Sequence, residues 1–505
     1  MGENQNKSEG IMCICGDHPD QTRTFINAGL SRRQLLRGSA AAVLSGGAAA
    51  MLGQQALAQQ AGSAAGQSSY TPPAGAQTFQ EHEVIFWGRG EDVSEQAAAE
   101  IAAERQTSSR TAGMQFRAQV SYQDSLSMET LTLKPIHPLQ VVIQNEAVQV
   151  CYSAAYQLNR SRFQDNAVVA GHGGVGRVIE VGSAVKRVQV GDRVILSATP
   201  NCGLCGQCLR GNGDNCVVRL PALSSATMSD GTPVYLTAPV MGPAGHSEIL
   251  IADEEWVVPV FTDLPADELS MLICAPAVGL GITTVKHPIE VGSDAVIYGL
   301  GPLGMGAVQG ARIQGAEKII GIDPISYRRE LAMQMGATHV LDPNDYSESG
   351  LVDAVMALTP DEVADNGSYK RHYLGERQHG ALYAIEATAT SQYPHAPGVE
   401  MAPEDVNIFE QVYASVRPGG YVTSAGFPRG DVNSRLVAWS NKTISGGNFP
   451  GLNVLSDLPK FINLVERGMF DARAMIGRVY GPDQMREAME GAMSREYLTT
   501  VIDFT

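Results

Sequence analysis

Short segments rich in β-branched and aromatic residues dominate the chain from residue 115 onward. Phe116–Val120, Leu131–Leu133 and Val141–Ile143 have the composition that is typical of β-strands. Two further strands are predicted over Gly176–Gly182 and Gly191–Leu196, which begin or end at glycines that mark turns. The pattern therefore predicts a β-rich domain in this part of the chain.

A different pattern begins near residue 290. The apolar run Asp294–Tyr298 is typical of a buried parallel strand, and Lys318–Ile322 repeats it after a predicted helix over Met305–Gln314. Tyr383–Ile385 and Gly420–Thr423 are predicted as later strands. Strands that alternate with helices indicate an α/β domain built on a parallel sheet.

The N-terminus has the features of an export signal. The segment 31–36 reads Ser-Arg-Arg-Gln-Leu-Leu, an uncharged Ala/Gly-rich stretch follows from Gly38 to Leu52, and Ala-Leu-Ala at 56–58 fits a cleavage site. We predict that residues 1–58 are a twin-arginine signal peptide and that the mature protein is periplasmic. The apolar stretch is too short and too glycine-rich for a stable membrane span. An uncleaved tail or an anchor is the alternative.

Residues 59–112 are predicted to be a linker and an N-terminal extension. Residues 59–77 are rich in Gln, Ser, Ala and Pro, which is typical of a linker. Glu83–Trp87 is compatible with a short strand, and Glu91–Arg105 has helical character. We expect this extension to pack against the body of the protein or against another subunit.

Composition narrows the class of protein. The chain has 505 residues, of which 44% are hydrophobic, and this suits two globular domains with additional segments. The formal net charge of −17 argues against nucleic acid and against anionic membrane surfaces as partners.

Six of the eight cysteines remain once the predicted signal peptide is removed. Four of them follow the spacing C-x2-C-x2-C-x7-C, which can close a tetrahedral thiolate shell around one structural zinc ion. These four are Cys202, Cys205, Cys208 and Cys216. Three disulfides are the alternative for six cysteines in an exported protein, although disulfide frameworks give no reason for this spacing.

A second zinc site is predicted outside that loop. Cys151 and His172 would be two of the three protein ligands of an open site, whose fourth position is left for water or substrate. Cys274 is the cysteine that remains downstream for the third ligand. The sequence therefore predicts two zinc ions per chain, one catalytic and one structural.

A dinucleotide fingerprint follows the strand at 294–298. Its three glycines permit a tight turn and the close approach of a pyrophosphate to a helix N-terminus. They are Gly299, Gly301 and Gly304. Asp323 follows the next strand, where a carboxylate binds ribose hydroxyls and repels a 2′-phosphate, so NAD is favoured over NADP. Arg328 and Arg329 follow soon after, and their positive charges leave NADP as an alternative cofactor.

Together these motifs resemble those of zinc-dependent medium-chain alcohol dehydrogenases, from about Gly113 to Thr505. The shared features are Cys-x-Ser at 151, Gly-His at 171, the four-cysteine segment, a cysteine five residues before Gly-x-Gly at 279, and the dinucleotide fingerprint. The resemblance implies an α/β fold with a chaperonin-ten-like, β-rich catalytic domain (113–285) and a doubly wound Rossmann domain (286–430). Residues 431–505 would return to the catalytic domain.

The resemblance also implies an activity. The enzyme would transfer hydride between a small-molecule alcohol or carbonyl substrate and NAD, with Ser153 passing on the alcohol proton and Tyr156 either ending that relay or lining the pocket. It would form a homodimer or homotetramer. Because free NAD is not expected outside the cytoplasm, we expect NAD to stay tightly bound and to be recycled by an electron acceptor or a second substrate. A non-catalytic zinc- and nucleotide-binding sensor or scaffold is the alternative.

Several positions depart from the family pattern. An acidic residue usually stands where this chain has Ala154, a glutamate where it has Gly173, and a phosphate-binding arginine where it has Thr499. Because such outer partners affect metal affinity or activity about 10- to 100-fold, we expect a site with different supporting contacts. We expect His246 at the surface or in the pocket wall.

Overall fold

The structure is a computed structural model of the chain. It describes residues 84–85, 109–123, 125–155, 166–217, 222–238, 242–360, 379–388, 407–426, 432–447 and 449–505. The predicted signal peptide, the predicted helix Glu91–Arg105 and Tyr156 lie outside these ranges, so those predictions stay predictions. Within the described ranges, no helix has both the length and the apolar character that a membrane span requires.

A small closed barrel forms one part of the β-rich region. Its strands are Gln115–Tyr122, Ser125–Leu133, Ala167–Val169, Ala226–Thr227 and Pro233–Tyr235. Phe116, Ala118 and Val120 are buried because side chains two residues apart point to the same face of a strand. Leu131 and Val234 pack into the same core.

A larger sheet joins the middle of the chain to its C-terminus. The order of its strands is Val257–Pro259, Arg193–Leu196, Gly174–Val181, Gln140–Val150, Thr500–Asp503 and Arg478–Tyr480, with Ile249–Asp253 paired to Gln140–Val150. Thr500 lies opposite Val150 in an antiparallel pair. The last strand of the chain therefore runs beside the strand that leads into Cys151, and this places residues 495–499 close to a predicted ligand.

Two further pairs of short strands lie among the described residues. They are Val84–Ile85 with Ala222–Leu223, and Thr237–Ala238 with Gly242–Pro243. The first pair contains part of the strand that was predicted over Glu83–Trp87.

A separate sheet has six strands, all parallel. In spatial order they are His339–Leu341, Lys318–Ile322, Asp294–Tyr298, Ala381–Glu386, Val416–Ser424 and Thr443–Gly446. Numbered along the chain, this is the order 3-2-1-4-5-6 of a Rossmann fold, which binds ligands where the order reverses, between its first and fourth strands. The structure thereby confirms the predicted α/β fold class.

Helices cover the parallel sheet and connect it to the β-rich part. The α-helices are Tyr152–Ala155, Gly206–Leu209, Ala266–Ser270, Ala275–Gly281, Pro302–Gln314, Ser326–Met335, Glu348–Leu358, Ile408–Ala414, Ser434–Ser440, Val454–Glu466 and Met485–Ser494. A π-helix spans Ile282–Lys286, and short 3-10 turns span Gly213–Asn215, Glu254–Trp256, Pro343–Asp345, Arg473–Met475 and Pro482–Gln484.

A contact between two helices joins the β-rich part of the protein to the part built on the parallel sheet. A Cβ added to Gly279 would lie 2.0 Å from the Leu303 carbonyl oxygen, so the helix after Cys274 packs directly on the helix that follows the nucleotide-binding turn. Apolar side chains of both helices, including Val278, Leu280 and Val308, belong to one buried cluster. The packing holds the third predicted zinc ligand in a constant position relative to the predicted NAD site.

Candidate active site

Three segments bring Cys151, His172 and Cys274 together. Cys151 directly follows the long central strand, His172 lies between two strands, and Cys274 directly precedes the helix Ala275–Gly281. His172 Nε2 lies 3.2 Å from Cys274 Sγ, and Cys274 Sγ lies 3.9 Å from Cys151 Sγ. The three candidate ligand atoms, one from each residue, all lie within 4.8 Å of one another. The three residues that the sequence singled out therefore form one cluster.

The hydrogen bonds of this cluster favour a thiolate on Cys151. Donation from the Cys274 thiol, the charge of His172 and the Ser153 hydroxyl hold the pKa of Cys151 well below its usual range. The same contact with Cys151, together with burial, raises the pKa of the Cys274 thiol well above its usual range. Ser153 Oγ donates to Cys151 Sγ over 3.1 Å, so the predicted proton acceptor is in direct contact with the cluster.

The donor set fits a zinc ion. Two sulfur atoms and one imidazole nitrogen are ordinary zinc ligands, and three protein ligands leave one position open for chemistry. His172 Nδ1 is buried without a hydrogen-bond partner among the described residues, and Nε2 faces the sulfur of Cys274. All six cysteines of the described ranges are free thiols, and the 3.9 Å between Cys151 and Cys274 far exceeds the roughly 2.05 Å of a disulfide.

His246 lies beside this cluster and is fully buried, so the expectation of a surface position is wrong. Its Nδ1 lies 3.0 Å from Gln119 Oε1, and its Nε2 has no partner among the described residues. Burial, together with the charge of His172, lowers the pKa of His246 to about 3. The imidazole is therefore neutral, and because its Nδ1–H donates to Gln119, its Nε2 is left as an acceptor.

The second cysteine cluster is closed and self-contained. The sulfur atoms of its four residues, Cys202, Cys205, Cys208 and Cys216, lie within 4.8 Å of one another. Backbone N–H groups point at the sulfurs, for example from Cys205 to Cys202 Sγ over 3.2 Å and from Cys202 to Cys216 Sγ over 3.4 Å. Four sulfurs in this arrangement fit a zinc ion and leave no open position, so the lobe is suited to structure and not to catalysis.

The acidity of these thiols differs within the cluster. Burial raises the pKa of Cys205, but N–H groups of Cys208 and its neighbours outweigh this effect and lower the pKa to about 6. Burial raises the pKa of Cys208 to about 12. Asp214 attaches the lobe to the body of the protein because its carboxylate accepts a hydrogen bond from the backbone of Gly451 over 2.9 Å.

The nucleotide-binding turn has the close contacts that its glycines predict. A Cβ on Gly304 would lie 1.8 Å from the carbonyl oxygen of Gly299, so no side chain fits there, whereas Gly301 caps the following helix with open space around it. Asp323 is buried, and its carboxylate accepts hydrogen bonds of 2.8 Å from the backbone of Leu300 and of Ile325. The carboxylate is thus held at the turn itself, at the end of the second strand.

Both arginines after Asp323 are already paired with carboxylates. Arg328 Nη1 lies 3.7 Å from Asp323 Oδ2, and Arg329 Nη1 lies 2.9 Å from Asp342 Oδ2. Arg329 also donates to the carbonyl oxygen of Asp323. Because their charges are used within the protein, neither provides an uncommitted cation for a 2′-phosphate, and the local electrostatics favour NAD.

Thr499, which stands where the family pattern has an arginine, is buried and points into the sheet. Its hydroxyl lies 3.2 Å from Gln149 Nε2 and 3.5 Å from the Val150 carbonyl oxygen. It therefore makes a structural contact. The side chains of Ala154 and Tyr156 are not among those that the structure describes.

Sequence reasoning missed two features of the site. It left the buried acceptor of His246 unrecognised, and it did not find the hydrogen bond of 3.1 Å between Arg495 and Tyr152, the residue after Cys151. His246 lies in a bend between two strands, and its neighbours Gly245 and Ser247 give no local signal for the first feature. The second joins residues that are far apart in the chain, and no local pattern indicates it.

Two family models match the chain. The model described as the alcohol dehydrogenase GroES-like domain matches residues 137–262, and the model described as zinc-binding dehydrogenase matches residues 302–467. The first covers Cys151, His172 and the four-cysteine segment, and the second covers Asp323.

Curated relatives and solved structures agree with these matches. The S-(hydroxymethyl)glutathione dehydrogenase of Paracoccus denitrificans is 30% identical over 49% of this chain and 68% of that protein. The NDMA-dependent alcohol dehydrogenase of Amycolatopsis methanolica is 24% identical over 74% of this chain and 94% of that protein. The crystal structure of benzyl alcohol dehydrogenase from Acinetobacter calcoaceticus has the same fold, with a TM-score of 0.61 and 22% identity over 77% of this chain and 99% of that chain.

Proposed function

This chain belongs to the family of zinc-dependent medium-chain alcohol dehydrogenases, and we propose that it interconverts a small-molecule alcohol and its carbonyl compound with an NAD that stays bound. An NAD-dependent oxidoreductase activity follows from the family. The observation that carries the proposal is the cluster of Cys151, His172 and Cys274, whose ligand atoms lie within 4.8 Å of one another.

Each residue of the cluster has a definite part in this reaction. Cys151, His172 and Cys274 would hold the catalytic zinc. When bound, zinc supplies a Lewis acid for the alcohol oxygen, and NAD supplies the hydride acceptor. Ser153, whose hydroxyl contacts Cys151 Sγ over 3.1 Å, accepts the proton of the alcohol. Tyr156 is proposed as the next group that takes up this proton.

The nucleotide-binding residues orient the cofactor. The three glycines of the turn leave room for the diphosphate, which the backbone N–H groups at the helix N-terminus can bind. Asp323 binds the hydroxyls of the adenosine ribose and excludes a 2′-phosphate by repulsion. His172 and His246 are both buried beside the donor cluster, and His246 adds no charge there.

A second zinc ion is proposed for the four-cysteine lobe, so that each chain holds two. The closed sulfur arrangement and the N–H groups that point at it support this proposal. We also propose that the enzyme is a homodimer or homotetramer, which light scattering on the purified protein tests directly. A monomer in solution would contradict this part of the proposal.

The proposal that NAD stays bound, which we call the captive cofactor, follows from the predicted export signal. A periplasmic dehydrogenase has no maintained pool of free NAD, so the nucleotide has to leave the cytoplasm inside the folded enzyme and be reoxidised in place by an electron acceptor. The relative from Amycolatopsis methanolica is named for its dependence on NDMA, and a dependence on a second small molecule is what such recycling requires.

Cofactor content tests the captive state. Mature protein from the periplasmic fraction is denatured, and the released NAD(H) and zinc are quantified per chain. We expect close to one nucleotide and two zinc ions. Two zinc ions without nucleotide, or mature protein that is confined to the cytoplasm and turns over added NAD, would contradict the captive cofactor and leave the dehydrogenase activity standing.

Turnover distinguishes the enzyme from a non-catalytic zinc- and nucleotide-binding sensor. With an alcohol and an artificial electron acceptor, Cys151→Ser and His172→Ala should each lose more than about 100-fold in kcat, because the Lewis acid contributes several kcal/mol. His339→Ala is the matched control, since His339 is partly exposed at the outer strand of the nucleotide sheet. Wild-type protein that holds zinc and NAD and turns over no alcohol would favour the sensor.

A further inference from the structure

A row of residues joined by hydrogen bonds and an ion pair begins next to the predicted metal ligands. Tyr152 directly follows Cys151, and its hydroxyl accepts a hydrogen bond from Arg495 Nη2 over 3.1 Å. The central carbon of the guanidinium lies 5.6 Å from the centre of the Tyr152 ring, within the range of a cation–π contact. Tyr152 therefore holds the guanidinium of Arg495 at the edge of the cluster.

Through its backbone carbonyl, Arg495 is also linked to the nucleotide-binding turn. Its carbonyl oxygen accepts a hydrogen bond of 2.9 Å from the Tyr327 hydroxyl, which in turn accepts one of 3.2 Å from Arg328 Nε. Arg328 pairs with Asp323, and Asp323 accepts the backbone N–H of Leu300 in the turn. The row thus runs from the predicted ribose site to the predicted metal site, with Arg495 between them.

The local fold explains how Arg495 reaches this position. The helix Met485–Ser494 ends at Arg495, which has a left-handed backbone conformation with φ of +60°. Five residues later the chain enters the strand that pairs with Val150, opposite the start of the Cys151 segment. A left-handed residue at this position ends the helix and turns the chain toward that strand.

The charge of Arg495 is uncommitted. Other arginines of this region pair with acids, as Arg328 does with Asp323 and Arg329 with Asp342. Among the described residues, no carboxylate pairs with the guanidinium of Arg495, whose Nη2 bonds the neutral hydroxyl of Tyr152. The side chain is partly exposed, so its remaining N–H donors are available to a ligand.

A bound dinucleotide would bring negative charge to this part of the molecule. Its ribose end is expected at Asp323 and its nicotinamide at the metal cluster, so its anionic diphosphate has to cross the space between them. Thr499, where the family pattern has an arginine, is buried and bonded to the sheet, so it does not supply the charge. We propose that Arg495 binds the diphosphate of the cofactor and that Tyr152 positions its guanidinium. The proposal rests on the NAD-dependent function above.

Ligands with and without phosphate test this assignment. The bound nucleotide is first removed by unfolding and refolding the protein in the presence of zinc. Dissociation constants for ADP-ribose and for adenosine are then measured by calorimetry, and the rate at which added NADH leaves is followed by fluorescence. Arg495→Ala should weaken ADP-ribose binding about 10- to 100-fold, the usual effect of a lost charge-assisted hydrogen bond. It should speed the loss of NADH by a similar factor and leave adenosine binding unchanged.

Two further variants sharpen the test. Arg495→Lys should keep part of the affinity because it preserves the charge without the planar fork of donors. Arg478→Ala is the matched control, since Arg478 lies on the same C-terminal segment and its guanidinium also stacks on tyrosines, Tyr480 and Tyr497. It should behave like wild type. Zinc content verifies that each variant retains the folded metal sites.

The outcomes are distinct. The proposal is overturned if Arg495→Ala binds ADP-ribose as tightly as wild type, or if it loses adenosine and ADP-ribose to the same extent, which would indicate a general structural defect. If wild-type protein binds neither ADP-ribose nor NADH, the NAD-dependent function itself fails, and the role of Arg495 fails with it.

Discussion

Replacing Gly171 by alanine should perturb the site more than any surface change of the same size. Gly171 has φ of +78°, and a Cβ there would lie 2.3 Å from His246 Cδ2 and 2.7 Å from its Nε2. His246 is fully buried and bonded through Nδ1 to Gln119, so it has no room to move aside. The methyl group therefore meets both a backbone cost and a packing cost.

The two costs can be separated in magnitude. A left-handed conformation costs a non-glycine residue about 1–2 kcal/mol, and an additional carbon in a well-packed interior costs about 1–3 kcal/mol. Gly171→Ala should therefore lower the free energy of unfolding by about 2–5 kcal/mol. Because the next residue is His172, we also expect weaker zinc retention against a chelator.

Urea denaturation and zinc content measure both effects. Gly191→Ala is the matched control, since Gly191 has φ of +96° and a Cβ there would meet nothing within 4 Å. It should show the backbone cost alone. In the double variant Gly171→Ala/His246→Ala, the packing cost should disappear, which gives a coupling energy of about 1–3 kcal/mol. If Gly171→Ala destabilises no more than Gly191→Ala, the close contact with His246 is not real.

Three shorter predictions concern other parts of the chain. Cys208→Ser should remove one of the two proposed zinc ions, as measured by metal analysis, and lower the free energy of unfolding by several kcal/mol, on the order of a structural zinc site. Glu180→Gln should destabilise the protein by about 1–2 kcal/mol at pH 7 in urea denaturation, and this difference should shrink as the pH falls through the folded-state pKa of Glu180. Burial raises the pKa of Glu180, but hydrogen bonds from Thr111 and Arg110 outweigh this and lower it, so its contribution is present above the unfolded pKa and is lost as the pH falls. Asp323→Asn should reduce the preference for NAD over NADP at least about 10-fold in binding assays; an unchanged preference would place the ribose elsewhere.

The fold was most predictable where local signals agree. Asp294–Tyr298 has the predicted bounds because its apolar residues form one uninterrupted run. The strand Val416–Ser424 begins four residues before the predicted one, because a proline and two glycines in its first half conceal it. The helix that was predicted over Met305–Gln314 begins at Pro302, where proline in the first turn is itself a start signal.

The candidate site, like the fold, was predictable only where local sequence signals exist. Residue type and spacing indicate which cysteines and which histidine could share a metal ion, and the structure brings them together. The contact between His246 and Gln119 spans 127 positions of sequence, and the contact between Arg495 and Tyr152 spans 343. Such pairs depend on the register of sheets and on where the last helix ends, and a single sequence contains no local pattern for either.

The glycine after His172 shows why the departures from the family pattern are compatible with the proposed metal site. Gly173 has φ of +69°, and a Cβ there would lie 2.3 Å from Ile273 Cγ2 and 2.5 Å from a backbone carbonyl oxygen, so no glutamate fits this position. Ile273 directly precedes Cys274, and the backbone after His172 therefore packs on the segment that carries the third predicted ligand. The glycine before His172 packs in the same way on His246. Backbone contacts on both sides thus fix the position of the imidazole, a task that the family pattern gives in part to a carboxylate.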